Sequence, residues 1–298
     1  MQINGIQIDD TFAEAFNMRA TRVIITALNL KWAYHAANAM TGFATSVIGC
    51  GVEAGIEREL TAEETPDGRV GVTILMFAMG SKVLMQQLET RMGQCVLTCP
   101  TAAAFAGIYA EDMINLGKHL RYFGDGFQTS KLISGKRYWR IPVMDGEFLT
   151  EEATGMVRAI GGGNFLILAT SQALALHAAE IAIEAMKKVP NVIMPFPGGV
   201  VRSGSKVGSK YKTMFASTND AFCPTLKGLT KTELSDEIES VMEIVIDGLT
   251  FEDIAQAMKV GIEAICDLGV DSGVKRISAG NYGGKLGPHH FKLYEILK

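Results

Sequence analysis

The segment Val23-Ile-Ile-Thr-Ala27 is followed, after seven residues, by His35-Ala-Ala37, and the same arrangement returns 142 residues later. The second copy reads Phe165-Leu-Ile-Leu-Ala169, seven residues, and then His177-Ala-Ala179. In each copy an apolar run of strand length leads to a polar residue, and apolar residues at helical spacing follow it. The sequence therefore predicts a strand and a helix that occur twice, by internal duplication.

The pattern continues after each copy. The first half adds predicted strands at residues 46–48, 71–77 and 94–98 and a helix that begins at Ser81; the second adds strands at 192–194, 211–216, 242–247 and 274–278 and a helix capped by Thr250. Each half approximates the order β-α-β-β-α-β, the split βαβ or ferredoxin-like arrangement. We therefore expect an α+β protein with two ferredoxin-like lobes, residues 1–149 and 150–298.

We assign structural roles to the two histidines of the repeat and to the insertion between its copies. His35 and His177 lie at equivalent places among alanines, and we predict that both pack rather than catalyse. An insertion at about residues 104–163 contains aromatic, strand-like pieces. We expect this insertion either to join the halves or to contact another subunit through Tyr138, Trp139 and Phe148.

Composition narrows the class of protein. Of 298 residues, 48% are hydrophobic and 20% are charged, which is enough apolar material for a folded core. The net charge of −4 argues against nucleic acid or an anionic membrane surface as the main partner. The first ten residues lack the basic and apolar regions of a signal peptide, and no apolar run reaches the ~20 residues that span a bilayer. We therefore expect a cytoplasmic protein.

The five cysteines show no ligand pattern. Cys95 and Cys99 are four residues apart, but no second Cys or His pair has the spacing that a metal site requires. We interpret the cysteines as buried small side chains in a reducing compartment and predict no metal site.

A glycine-rich stretch at residues 195–208 is the strongest candidate for a binding loop. Its prolines stiffen the entry, its glycines permit sharp turns, and Arg202 and Lys206 add positive charge. It resembles the start of a phosphate-binding loop, but Ser205 displaces the lysine and Val207 stands where a hydroxyl should follow. The loop therefore predicts contact with an anionic or carbonyl-bearing ligand, or else a long turn between two elements.

A second polar loop and one carboxylate complete the candidate site. Residues 278–287 combine Asn281, Tyr282 and Lys285 with four glycines. Glu243 shares a strand face with Val245 and Asp247. A carboxylate partly buried at the rim of a sheet has a raised pKa and is suited to proton transfer, whereas on a solvated strand face it has no such role. Spacing alone leaves both interpretations open.

Ten stretches taken together resemble the formylmethanofuran–tetrahydromethanopterin formyltransferase family. The match covers essentially the whole chain, and the order of so many strings makes it highly specific. In the first half they are residues 10–16 (DTFAEAF), 41–47 (TGFATSV), 53–57 (EAGIE), 65–69 (TPDGR) and 93–98 (GQCVLT); in the second they are 162–165 (GGNF), 195–199 (PFPGG), 203–208 (SGSKVG), 243–248 (EIVIDG) and 278–287 (SAGNYGGKLG).

The resemblance implies reversible formyl transfer between methanofuran and tetrahydromethanopterin. It implies two ferredoxin-like lobes in a homo-oligomer, a dimer or tetramer, with the two coenzymes as cosubstrates and no tightly bound metal or prosthetic group. The family's proposed catalytic glutamate corresponds to Glu243. The setting is either methanogenic CO2 reduction or formaldehyde oxidation by a formyltransferase/hydrolase complex, in which hydrolase subunits would be partners.

The two glycine-rich loops are then expected to grip the substrates or to donate hydrogen bonds to a tetrahedral oxyanion. A non-catalytic ferredoxin-like binding or assembly subunit is the rival interpretation, and the presence of Glu243 favours the enzyme. The predicted substrate-binding residues are Arg202, Ser203, Gly204, Ser205, Lys206, Asn281, Tyr282 and Lys285.

Overall fold

The computed structural model describes residues 1–298, and the protein is α+β, as predicted, with seven α-helices and 18 strands. The helices are α1 Leu30–Thr41, α2 Val47–Cys50, α3 Ser81–Arg91, α4 Gly117–Leu120, α5 Gln172–Met186, α6 Phe251–Cys266 and α7 Leu293–Ile296. The strands are β1 Gln2–Ile3, β2 Ile6–Ile8, β3 Phe12–Thr26, β4 Glu53–Leu60, β5 Gly71–Ala78, β6 Ala103–Ala106, β7 Met113–Asn115, β8 Thr129–Ile133, β9 Lys136–Val143, β10 Gly146–Glu151, β11 Ala153–Gly155, β12 Val157–Ala169, β13 Val192–Ile193, β14 Ser205–Val207, β15 Ala216–Thr218, β16 Ser240–Gly248, β17 Val274–Ser278 and β18 His289–Lys292. None of the helices is long and apolar enough to cross a lipid bilayer.

The chain forms two compact units. One contains Met18–Ala159, and the other contains Ile160–Lys298 together with Met1–Asn17. The first 17 residues therefore belong to the same compact unit as the second half of the chain.

The 18–159 unit is built on an antiparallel sheet in the order β4-β5-β3-β6. Its helices bury an apolar face whose spacing follows directly from the sequence, since Leu84, Leu88, Met92 and Val96 recur every four residues and are all fully buried. The insertion extends the sheet, because β10 pairs in parallel with β6 and β9 and β8 follow in antiparallel order.

Two of the strands predicted for this unit are wrong. Residues 94–98 continue α3 through a π-helical turn, Met92–Val96, because the four-residue apolar spacing holds past Arg91. The strand that pairs with β3 at this place is instead β6. Residues 46–48 begin a short helix, since the Ser46 side chain accepts the backbone N–H of Ile48 at 3.4 Å.

Burial also corrects two predicted roles. The prediction that His35 and His177 are packing residues is wrong for the core, since both are exposed and the alanines beside them form the packed helix faces. The His35 ring contacts only that of Trp32 at the surface, with the centroids 5.2 Å apart. Trp139 and Phe148 are buried in the core of the 18–159 unit. They are therefore not available as a surface for another subunit.

The second unit carries a sheet in the order β13-β16-β12-β17-β2-β1. The helices α5 and α6 cover it and bury Ala178, Ile262 and Phe165 in one apolar cluster. Both helices start at side-chain caps, since Ser171 accepts the N–H of Leu174 and Thr250 shares a capping box with Asp253.

One strand predicted in this unit is also wrong. Residues 211–215 form no strand, and Ala216 begins β15, which pairs with β14 in a hairpin separate from the sheet. Tyr211 and Phe215 are 67% and 90% exposed, so this segment has no buried face to hold it against the sheet. On the side away from β12, β16 pairs instead with the two-residue strand β13.

Candidate active site

The glycine-rich loop is attached to the strand that carries Glu243. Val201 and Glu243 exchange two backbone hydrogen bonds, of 2.8 and 2.9 Å. The chain just before Val201 requires glycine at position 199, because φ there is +84° and a Cβ atom would lie 2.4 Å from Cδ1 of Ile183. The bridge fixes the start of residues 202–206 beside Glu243.

Glu243 sits in a confined place on β16. A Cβ atom on Gly204 would lie only 3.2 Å from Glu243 Oε2, so the loop backbone passes close to the carboxylate. Burial raises the pKa of Glu243 to about 7. Asp247, on the same strand face, is 0% exposed, so this face of β16 is not a solvated one at that end. Glu243 is half-buried, and with this pKa its carboxyl group can exchange a proton near neutral pH.

The two predicted loops meet at Tyr282. Desolvation raises the pKa of the Tyr282 phenol, the neighbouring Glu243 carboxylate raises that pKa further, and a hydrogen bond with the side chain of Ser205 opposes the rise. The structure thus brings Glu243, Gly204, Ser205 and Tyr282 together from three separate stretches of sequence.

A carboxylate that the sequence analysis did not single out organises the second loop. Glu14, 1% exposed, accepts the backbone N–H groups of Tyr282, Gly284, Leu286 and Gly287 at 2.6 to 2.8 Å. Desolvation acts to raise the pKa of Glu14, but the four N–H groups outweigh it and lower the pKa. These four N–H groups are therefore already bonded to Glu14 and are not free to donate to a substrate oxyanion. The only signal in the sequence was the position of Glu14 within the stretch 10–16.

Side-chain amides fix the same loop at its start. The Asn281 amide donates to the Phe12 carbonyl at 3.1 Å and its oxygen accepts the N–H of Gly283. Asn164, on β12, accepts the N–H of Gly280 at 2.6 Å and donates to the Gly280 carbonyl at 3.1 Å. Asn281, one of the predicted binding residues, thus has a structural role in this loop.

The remaining predicted residues form an exposed, mostly cationic rim. Lys206 pairs with Asp220 at 2.7 Å. Arg202, Ser203 and Lys285 are exposed, and neither Arg202 nor Lys285 forms a salt bridge. No three His, Cys, Asp or Glu side chains lie in a group that could hold a metal ion. The arrangement provides positive charge for an anionic ligand beside a carboxyl group that can exchange a proton.

Fold and site together define an α+β protein with a half-buried carboxyl group on one strand of the sheet and a cationic loop beside it. The family model for formylmethanofuran-tetrahydromethanopterin formyltransferase matches residues 1–143, and the model for its proximal lobe matches residues 146–296. The chain belongs to this family, and the resemblance seen in the sequence is confirmed.

Individual relatives agree with the family models. The chain is 78% identical to formylmethanofuran–tetrahydromethanopterin formyltransferase of Methylobacillus flagellatus, and the match covers 100% of both chains. It superposes on a chain of the formyltransferase/hydrolase complex of Methylorubrum extorquens, solved with methylofuran, with a TM-score of 0.98 and 53% identity over 100% of this chain and 99% of that one. The formyltransferase of Methanosarcina barkeri gives a TM-score of 0.94 at 49% identity, over 99% of this chain and 100% of that one.

Proposed function

We propose that the protein transfers a formyl group reversibly between formylmethanofuran and tetrahydromethanopterin, in one-carbon metabolism, with Glu243 as the catalytic acid–base residue. The observation that carries this proposal is the position of Glu243, whose carboxylate lies against the backbone of Gly204 in the cationic loop, where desolvation raises its pKa to about 7. A general acid–base group works best when its pKa lies near the working pH, since both protonation states are then available.

The reaction requires one group that first accepts and then returns a proton. The ring nitrogen of the pterin attacks the formyl carbon, a C–N bond forms, and the carbonyl electron pair moves onto oxygen. The Glu243 carboxylate takes the proton of the attacking nitrogen. When the oxyanion collapses, the bond to the methanofuran nitrogen breaks, and Glu243 returns the proton to that leaving amine. Glu243 ends in the state in which it began.

The loops beside Glu243 supply positioning. Arg202, Lys206 and Lys285 would bind anionic parts of the two coenzymes, and Ser203 and Ser205 would offer hydroxyl donors. Correct placement of two reactants is worth several orders of magnitude in rate, so a large share of catalysis rests on this surface.

The direct test is formyl transfer by the purified chain with formylmethanofuran and tetrahydromethanopterin and no added metal. We expect Glu243→Gln to lower kcat by ~100- to 10,000-fold with little change in substrate affinity. Glu239→Gln is the matched control, since Glu239 is an exposed carboxylate just before the same strand, in an ion pair of 3.5 Å with Lys227. Normal turnover in Glu243→Gln would refute the role. Absence of transfer by the wild-type chain, with coenzyme binding intact, would favour the non-catalytic binding subunit.

We assign the two halves, 1–149 and 150–298, to ferredoxin-like lobes that arose by duplication. The support is the shared order of their elements. In the first half β3 lies between β5 and β6, and in the second β12 lies between β16 and β17, with every one of these pairs antiparallel. In both halves a helix follows the central strand directly. Separate superposition of the two halves should place Val23–Ala27 on Phe165–Ala169; unrelated positions would contradict duplication.

The protein is further proposed to act in the cytoplasm as a dimer or larger homo-oligomer, together with hydrolase subunits. The support is its similarity to a chain of the Methylorubrum extorquens formyltransferase/hydrolase complex. Light scattering of the purified chain should give at least twice the 32.1 kDa of one copy. A monomer at micromolar concentration would contradict the homo-oligomer. An affinity-tagged chain that retains no hydrolase activity from its native lysate would contradict the association with hydrolase subunits.

A further inference from the structure

Glu14 is a buried carboxylate in the neighbourhood of the site, 1% exposed, and the mechanism above does not use it. Its two oxygens accept all four of the loop N–H groups described above, two on each oxygen. A buried charge of this kind is costly unless it is fully hydrogen-bonded, and here the loop backbone supplies the bonds. The loop from Tyr282 to Gly287 is therefore wrapped around one carboxylate.

Beyond the contacts of Asn281 at its start, this loop depends on Glu14 for its shape. Gly283 and Gly284 have φ values of +76° and +70°, and the loop forms no regular helix or strand between β17 and β18. Glycine in such conformations leaves the chain many alternatives when it is not held. The Glu14 carboxylate stabilises the observed conformation, because in it four backbone N–H groups point at one carboxylate.

The conformation fixed in this way determines the position of Tyr282. The N–H of Tyr282 itself is one of the four donors, at 2.7 Å from Glu14 Oε2. The phenol of the same residue reaches the side chain of Ser205 and the neighbourhood of Glu243. Glu14 thus holds the backbone of Tyr282, and Tyr282 in turn places its phenol near Glu243. Glu14 itself is not at the surface.

We propose that Glu14 is a positioning residue for formyl transfer, because through the 282–287 loop it fixes the Tyr282 phenol beside Glu243. The inference rests on the proposed function for its kinetic consequences. At 1% exposure Glu14 is not available to contact a substrate, so its effect on catalysis is transmitted through Tyr282.

The test is a double-mutant cycle in kcat with Glu14→Gln and Tyr282→Phe. An amide oxygen replaces only one of the two accepting oxygens, and the NH2 group faces N–H donors, so at least two of the loop bonds are lost. We expect Glu14→Gln to lower kcat roughly tenfold or more, and the double variant to be no slower than the slower single variant. If the double variant loses kcat by the product of the two single losses, or if Glu14→Gln leaves kcat unchanged, the proposal is overturned.

A spectroscopic readout separates this inference from the proposed reaction. The ultraviolet absorbance change on ionisation, compared between wild type and Tyr282→Phe, isolates Tyr282 from the other six tyrosines. The negative charge of Glu14 raises the pKa of Tyr282, so the Tyr282 pKa should fall in Glu14→Gln. This shift is expected whatever reaction the protein catalyses. An unchanged Tyr282 pKa would contradict the link between the two residues.

Two further variants control for folding. Asp253→Asn weakens the capping box of α6 in the same compact unit, and it should leave kcat and the Tyr282 pKa unchanged. If Glu14→Gln does not fold, Gly284→Ala disturbs the same loop while Glu14 stays charged, since φ is +70° and the new Cβ atom would lie 3.1 Å from Cε1 of His290. Gly284→Ala should lower kcat in the wild-type background but not in the Tyr282→Phe background. If the two substitutions instead lower kcat by the product of their separate effects, the proposal is overturned.

Discussion

Replacing Glu243 by glutamine should stabilise the fold at the same time as it removes activity, and the gain should depend on pH. Burial raises the pKa of Glu243 from 4.5 to about 7 in the folded protein. Below pH 4.5 the group is protonated in both the folded and the unfolded state, so its burial has no ionisation cost. Above pH 7 it is ionised in both states, and the folded state bears the cost of burying the charge.

The magnitude follows from the pKa difference. A shift of this size corresponds to about 3 kcal/mol, most of which develops between pH 5 and pH 8. Glutamine is neutral throughout and never bears this cost. The stability difference between Glu243→Gln and wild type should therefore move in favour of the variant by about 3 kcal/mol as pH rises through this range.

Urea denaturation of both proteins at a series of pH values measures this change. Comparing the two pH dependences cancels the contribution of every other ionisable group. The exposed-carboxylate variant Glu239→Gln should show no such pH-dependent gain. A difference between Glu243→Gln and wild type that stays constant from pH 5 to pH 8 would refute the reasoning, because it would mean that Glu243 has an ordinary pKa in the folded protein.

Three other outcomes are expected. The value of kcat/KM should rise with pH and level off above a midpoint near 7, because attack requires the ionised Glu243, and a flat profile from pH 5 to 8 would contradict this role. Gly204→Ala should lower kcat by roughly 10- to 100-fold, since its Cβ atom would lie 3.2 Å from Glu243 Oε2, whereas Gly49→Ala, which meets open space, should be neutral in the same assay. Lys206→Ala should raise KM more than it lowers kcat if Lys206 binds an anionic part of a coenzyme. Lys187→Ala, at a more exposed ion pair of the same 2.7 Å length, is the control, and a kcat effect larger than the KM effect would count against that role.

The sequence by itself determined the class of fold, the repeated strand and helix, and the identity of Glu243 as the carboxylate to examine. These features are local. The apolar spacing of α5 and α6, the caps at Ser171 and Thr250, and the alternation along β16 are each encoded within one stretch of chain. Where the local signal was short or ambiguous, as at residues 94–98 and 211–216, the prediction was wrong, because packing against a distant partner decides between helix, strand and exposed loop.

Only the tertiary structure decided what surrounds Glu243. Its raised pKa comes from desolvation by residues of other segments, and no spacing within 243–248 encodes that burial. The partnership between Glu14 and the 282–287 loop joins residues about 270 positions apart, as the hydrogen bonds show. From its sequence alone, Glu14 in the alternating start of β3 is expected to face solvent. Only the fold shows that four backbone N–H groups surround its carboxylate.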